Sequence, residues 1–168
     1  TGKPFALFVG TFEPRKNLER LIIAYSRLPE SLKAKCALKI AGNTGWGGVN
    51  PGNLVKGENS EKWVEVIHSP SDQQLNQLYA DCSFLVMPSI YEGFGLPIIE
   101  AMQYGKPCLT SKVSSMPEIA GNAGILVNPF SVPDISTALE QLIVDDLKRV
   151  DMAAHAERAA CYFTWSQS

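Results

Sequence analysis

The sequence predicts one doubly wound α/β domain on a parallel sheet, and three observations lead there. Six short apolar runs of strand length recur along the chain, at residues 5–10, 37–42, 63–67, 84–87, 107–110 and 125–127. The run at 84–87 is unbroken rather than alternating, as expected of a strand covered by helices on both faces. Helical patterns lie between them, and strand alternating with helix is the signature of a parallel sheet.

Residues 5–10 (Phe-Ala-Leu-Phe-Val-Gly) read as a buried strand running into a glycine turn. Asn17 is placed to cap the next helix, where Leu18, Leu21, Ile22 and Tyr25 recur at helical spacing with Arg and Glu opposite. Between them, Arg15 and Lys16 put two adjacent cations at the carboxyl end of the first strand. They are suited to a diphosphate, Arg as a fork and Lys as a point charge, or equally form a solvated charge cluster. Residues 37–42 are the second strand. Residues 43–53, rich in Gly and Asn, predict a long loop. No glycine there is followed by Lys-Ser or Lys-Thr, so a Walker-type phosphate loop is excluded. Trp46 in this loop reads as a packed anchor in preference to a pocket wall.

Residues 63–67 form the third strand, and Ser71-Asp72 opens a helix through Tyr79 with Leu75, Leu78 and Tyr79 turned inward. The fourth strand, 84–87, is ended by Pro88. Residues 107–110 and 125–127 complete the sheet, with a turn at 121–124 before the last strand. A helix at 132–145 has the face Ile135, Leu139, Leu142 and Ile143, and a final helix spans 147–163. The chain holds no repeat and no low-complexity segment.

The most informative stretch follows the fourth strand: Ser-Ile-Tyr-Glu-Gly-Phe-Gly-Leu-Pro-Ile-Ile-Glu-Ala-Met, residues 89–102. Pro97 sits where a first helical residue should, so this is strand, glycine loop, helix start. In open parallel sheets that geometry places a ligand beyond the carboxyl end of the strand, facing the free N–H groups of the helix. Gly93 and Gly95 carry no Cβ and let a ligand approach the main chain. Glu92 in the loop and Glu100 one turn into the helix flank that spot. An acid there also complements the helix dipole by itself, but backbone donors suited to phosphate together with carboxylates suited to hydroxyls fit a phosphorylated sugar.

With 168 residues the chain is long enough for one domain with a sizeable core. A net charge of −2 with no basic block argues against nucleic acid as a partner. No apolar run approaches the roughly 20 residues that span a bilayer, and no signal peptide opens the chain. Cys36, Cys82, Cys108 and Cys161 are scattered, without the close pairs of a zinc or redox site. They read as reduced structural thiols in a cytoplasmic protein. His68 and His155 are too few for a histidine metal centre, and His155 reads as a surface residue.

The spacing Glu-x7-Glu, filled as Glu-Gly-Phe-Gly-Leu-Pro-Ile-Ile-Glu and followed by Ala-Met, resembles the signature of retaining glycosyltransferases of family 4. These are two-domain nucleotide-sugar enzymes with the GT-B fold. Residues 9–18, Val-Gly-Thr-Phe-Glu-Pro-Arg-Lys-Asn-Leu, resemble the first block of that family's donor-binding half. There a glycine is followed by an arginine and later by a lysine that grips the donor phosphates. Lys16 falls on the lysine position. Thr11, directly after Gly10, stands where many relatives carry arginine, and Arg15 supplies a charge from the neighbouring position.

The resemblance implies that Glu92 contacts the transferred sugar and Glu100 binds the ribose hydroxyls. It also implies that Gly93 and Phe94 offer main chain to the sugar, and that Gly95, Leu96, Gly10, Thr11, Arg15 and Lys16 surround the phosphates. The turn after the third strand lies beside the base in the family, which makes Ile67, His68 and Pro70 base-pocket candidates; a plain strand-to-helix turn is the alternative. Residues 111–118 resemble the family's loop ending in Pro-Glu near the donor, with Glu118 read as structural.

The whole chain, 1–168, is therefore expected to be the carboxyl-terminal, nucleotide-sugar-binding half of a GT-B enzyme, inactive without the amino-terminal acceptor domain. Phe163-Thr164-Trp165-Ser166 resembles the family's closing motif, and the amino-terminal half has no counterpart here. The chain is then a piece of a longer protein or half of a split enzyme. No metal or other cofactor is expected. The donor is GDP-mannose in preference to a UDP-sugar, used for retaining transfer to a sugar or lipid-linked acceptor in polysaccharide biosynthesis. Peripheral contact of the full enzyme with the inner membrane face is compatible with this. The alternatives are a nucleotide-sugar binding module without catalysis and a glycoside hydrolase using Glu92 and Glu100, whose carboxyl groups would stand about 5 to 5.5 Å apart.

Overall fold

The computed structural model describes residues 2–167, and of 163–167 the backbone only; the side chains of the Phe163-Thr164-Trp165-Ser166 stretch lie outside the described residues. The strands are β1 (Phe5–Val9), β2 (Ala37–Gly42), β3 (Val64–His68), β4 (Phe84–Met87), β5 (Cys108–Ser111) and β6 (Gly124–Val127). The helices are α1 (Leu18–Ser26), α2 (Glu30–Lys35), α3 (Pro51–Gly57), α4 (Asp72–Asp81), α5 (Leu96–Gln103), α6 (Met116–Ala120), α7 (Val132–Val144) and α8 (Asp146–Gln167). All six strands pair in parallel in the order β3-β2-β1-β4-β5-β6. The fold is a Rossmann-like parallel α/β domain.

Successive residues of a strand face opposite sides of the sheet, and here each side meets its own core. Ala6, Phe8, Phe84, Val86 and Leu109 pack with Leu21 and Ile22 of α1, Val55 of α3 and Leu139 and Leu142 of α7. Phe5, Leu7, Leu85, Met87 and Cys108 pack on the other side with Tyr79 of α4, Ile98 and Met102 of α5, and Met116 of α6. Each such large apolar side chain contributes roughly 1.5–3 kcal/mol by leaving water. Helix α8 joins the two cores, with Met152 in the first and Ala156 and Ala160 in the second.

Several local expectations are corrected. The 43–53 loop is shorter: Pro51 opens α3, and Asn50 caps it by accepting from the Asn53 N–H. A second short helix, α2, carries too little apolar periodicity to be read and buries none of its residues. Pro117 and Glu118 lie in the first turn of α6 rather than in a loop. Helix α5 begins one residue early, at Leu96, with Pro97 in its first turn. Trp46 is not a packed anchor, being 65% exposed. His155 is half-buried, hydrogen-bonded to Arg158 and 3.8 Å from Asp151. The inward face read for α4 is as expected: Tyr79 is buried, and Leu75 and Leu78, partly buried, pack against the same core. The α4 start is as expected: Ser71 and Gln74 form a reciprocal capping box.

The chain winds outward from β1 to β3, then crosses back to lay β4 on the other side of β1. Where such an order reverses, the carboxyl ends of the two central strands diverge and leave a crevice. The loops that leave β1 and β4 at this point are residues 10–17 and 88–95.

Candidate active site

The β1–β2 pairing continues past the strands, through Gly10 N–H to the Ala41 carbonyl and Phe12 N–H to that of Asn43. The backbones come so close that a Cβ at Gly42 would stand 1.7 Å from the Gly10 carbonyl oxygen, so only glycine fits. From this fixed base, a short 3-10 turn at Pro14–Lys16 directs Lys16 back toward the crevice.

There Lys16 Nζ donates to Glu92 Oε2 at 2.6 Å. The same oxygen accepts from Ser89 Oγ at 3.1 Å and from Arg15 Nη1 at 3.3 Å. Arg15 Nε is also paired with Glu13 at 2.9 Å, and its Nη1 reaches the Tyr91 carbonyl. Lys16 is only 6% and Glu92 5% exposed. A buried pair of this kind adds little net stability, but removal of either member strands the other. Two cations thus face two carboxylates, and the local charge sums to zero. Attraction of an anion to the crevice therefore rests first on main-chain donors.

Those donors are at the head of α5. Gly95 is the N-cap residue with φ +60°, a left-handed conformation in which glycine is unstrained. Among the described residues, the N–H groups of Gly93, Phe94, Gly95 and Leu96 donate to no protein acceptor. Gly93, Phe94, which is 79% exposed, and Leu96 stand open to a ligand, while Gly95 between them is buried. Glu100, one turn further, is half-buried and does not join the Lys16–Glu92 cluster; its Oε2 accepts from the Tyr79 hydroxyl at 2.6 Å. Its other oxygen has no partner among the described residues and is open to solvent, since no buried polar side-chain atom there lacks one. His68, exposed at the end of β3, meets Phe12 edge-on with ring centroids 5.7 Å apart. Gly10 and Thr11 are half-buried beside Lys16, and Glu118 is exposed.

Sequence reasoning missed the residues that hold this geometry. Asn17 occupies the N-cap position of α1 without capping it: its φ is 64°, and its side chain makes no cap bond. Instead its Nδ2 donates to the carbonyls of Pro88 at 2.8 Å and Pro129 at 2.7 Å, while Oδ1 accepts from Arg20. One buried amide thereby ties the ends of β1, β4 and β6 together. Ser111 Oγ donates to the Ser89 carbonyl, Ser114 and Ser115 hydroxyls donate to that of Glu92, and the Ile90 N–H donates to the Arg15 carbonyl. The 111–118 stretch resembles a donor-side loop, but the part each serine plays in holding residues 89–92 appears only when β5 is laid beside β4.

An open cavity of about 570 Å³ borders this cluster, lined by its Glu13, Asn17 and Ile90 together with Leu18, Val49, Asn50 and Leu54 among others. It contains neither Lys16 nor Glu92 nor any of residues 93–96, so size alone does not mark the chemistry. Among the described residues no cluster of three His, Cys, Asp or Glu could hold a metal ion. Among the same residues no helix is long and apolar enough to cross a membrane. The crevice thus offers unpaired amides and two cations anchored on carboxylates, with a half-free glutamate one turn along α5, groups suited to phosphate and to hydroxyls.

Comparison with known proteins gives a consistent picture. A model of the family described as glycosyl transferases, group 1, matches residues 1–159. The chain is 39% identical to O-antigen chain mannosyltransferase B of Escherichia coli over 96% of its length, covering 42% of that protein. It is 33% identical to the serotype-specific mannosyltransferase WbdA of Escherichia coli over 98% of its length, covering 20% of that protein. Its fold superposes on WaaG, a glycosyltransferase involved in lipopolysaccharide biosynthesis, with a TM-score of 0.83 and 25% identity, over 95% of this chain and 43% of that one. Sucrose-phosphate synthase from Thermosynechococcus elongatus gives a TM-score of 0.84 at 24% identity, over 95% of this chain and 41% of that one. The chain spans less than half the length of each of these relatives.

Proposed function

The chain belongs to the group 1 glycosyl transferases, and from that premise we propose that it is the nucleotide-sugar-binding, carboxyl-terminal half of a retaining GT-B enzyme. The observation that carries the reading is the meeting of Lys16, Arg15 and Glu92 at the switch point between β1 and β4, beside the unpaired amides of residues 93–96. A diphosphate lies against those amides. Arg15, whose side chain is 37% exposed and whose contact with Glu92 is long, turns toward it first. Lys16, buried and short-bonded, keeps Glu92 in place and shares its remaining protons with the phosphate.

As the bond from sugar to diphosphate breaks, negative charge grows on the leaving oxygens. Fixed N–H dipoles and cations stabilise that state more than the bound donor. Glu92 faces the transferred hexose, Gly93 and Phe94 offer it main chain, and Glu100 takes the ribose hydroxyls. Gly10, Thr11 and His68 line the phosphate and base ends. The likeness to the mannosyltransferases supports GDP-mannose as the donor. The acceptor, a growing polysaccharide or a lipid-linked sugar, is handled by an amino-terminal domain, without which the 168 residues bind donor but do not transfer.

Calorimetric titration with GDP, UDP and ADP tests this. GDP should bind most tightly, and Glu100→Ala should weaken it about tenfold, the value of one charged hydrogen bond. Release of sugar from a simple glycoside in the absence of nucleotide would instead support a hydrolase.

A further inference from the structure

Tyr79 carries a hydroxyl where a phenylalanine would fill the same space. The residue is 2% exposed and packs in the apolar core with Cys82, Leu85, Ala101 and Met102. A hydroxyl in such surroundings costs stability unless it is hydrogen-bonded, and its bond goes to one acceptor, Glu100 Oε2 at 2.6 Å. The ring is stacked on Tyr104, with centroids 5.7 Å apart and planes 10° from parallel. Burial pushes the phenol well above its ordinary ionisation range, so it remains a donor at any physiological pH. Glu100, one turn into α5, meanwhile leaves its second oxygen open to solvent.

We infer that Tyr79 is a positioning residue for Glu100: its hydroxyl fixes one carboxylate oxygen and thereby presents the other to the ribose of a bound nucleotide. The inference rests on the proposed role of Glu100. A glutamate on a helix face has several rotamers of similar energy, and a ligand that needs one of them must freeze it. The Tyr79 bond makes that selection before the ligand arrives, in the manner of a buried partner that orients a ligating group.

Binding of GDP, UDP and ADP is measured by calorimetry on the wild type, Tyr79→Phe and Glu100→Gln, together with the 2′,3′-dideoxy form of the tightest nucleotide and inorganic pyrophosphate. The wild type should prefer the ribose form. Tyr79→Phe, which keeps the ring stack, should lose about five- to tenfold in affinity for that form. It should hold the dideoxy form and pyrophosphate within about twofold of wild type. Glu100→Gln should remove the preference. The ratio of ribose to dideoxy affinity does not depend on the fraction of protein folded. An unchanged ratio in Tyr79→Phe beside a lost one in Glu100→Gln overturns the inference and leaves the role of Glu100 standing. An equal loss for every ligand in Tyr79→Phe also overturns it. Absence of ribose preference in the wild type, its survival in Glu100→Gln, or failure of all three nucleotides to bind removes the role of Glu100 and the inference with it.

Discussion

Replacing Lys16 by methionine separates what the Lys16–Glu92 pair does for the fold from what it does for the ligand. The ammonium and carboxylate are 2.6 Å apart, with side chains 7% and 6% exposed. Removing one member of a buried pair costs about 3–5 kcal/mol. Glu92 would keep Arg15 at 3.3 Å and Ser89 at 3.1 Å, which favours the lower end, about 3 kcal/mol. For a domain of this size that corresponds to a fall in Tm of roughly 6–12 °C. Adding Glu92→Leu removes the stranded charge, so the double variant should be more stable than the sum of the single losses by at least about 1 kcal/mol. Urea unfolding followed by circular dichroism, on the wild type, both single variants and the double, gives the coupling. Losses that add within about 0.5 kcal/mol would refute a buried, mutually dependent pair. In the same Lys16→Met protein, affinity for GDP should fall more than affinity for guanosine; equal losses would contradict the phosphate role.

Four further outcomes are expected. Asn17→Asp keeps the size and tolerance for φ 64° but cannot donate to the Pro88 and Pro129 carbonyls, so it should cost about 2–3 kcal/mol in urea unfolding, against a few tenths for a neutral surface change. Gly95→Ala places a Cβ at φ +60° and 2.9 Å from Ile119 Cδ1, which should cost about 1–2 kcal/mol and weaken GDP binding by distorting the head of α5. Burial raises the thiol of Cys36 to about 11 and those of Cys82 and Cys108 to about 12, whereas Cys161 is exposed, so a disulfide reagent at pH 8 should titrate one thiol of the native protein quickly and all four in denaturant. Those folded thiols keep their protons above pH 9 while unfolded ones lose them, so stability toward urea should decline from pH 9 toward 11.

The parts of this fold that were legible in the sequence are those with dense local signal. The unbroken apolar run Phe84–Met87 reads directly as a covered strand, and Ser71-Asp72 announces α4. The end of β1 and the end of β4 were each marked by their residue types; their meeting follows from strand order, which no local pattern states. What escaped depends on tertiary placement. Asn17 looks like a helix cap because Asn usually is one, and only the neighbouring carbonyls of Pro88 and Pro129 turn it into a tie between loops. Trp46 looked like an anchor because large aromatics are usually covered, yet it lies on a glycine-rich loop with little to pack against. The pairing of both cations with Glu13 and Glu92 was also hidden: charge counts along the sequence suggest a positive site, whereas the folded arrangement is neutral until a ligand competes for Arg15.

The most direct measurement of where the donor lies is the change in backbone amide shifts, residue by residue, as GDP is titrated into isotopically labelled protein. Gly93, Phe94, Gly95 and Leu96 should move most, with Lys16 and Glu92 following. Shifts gathered instead at Val49, Asn50, Asn53 and Leu54, around the 570 Å³ cavity, with residues 93–96 unmoved, would contradict a diphosphate site at the head of α5.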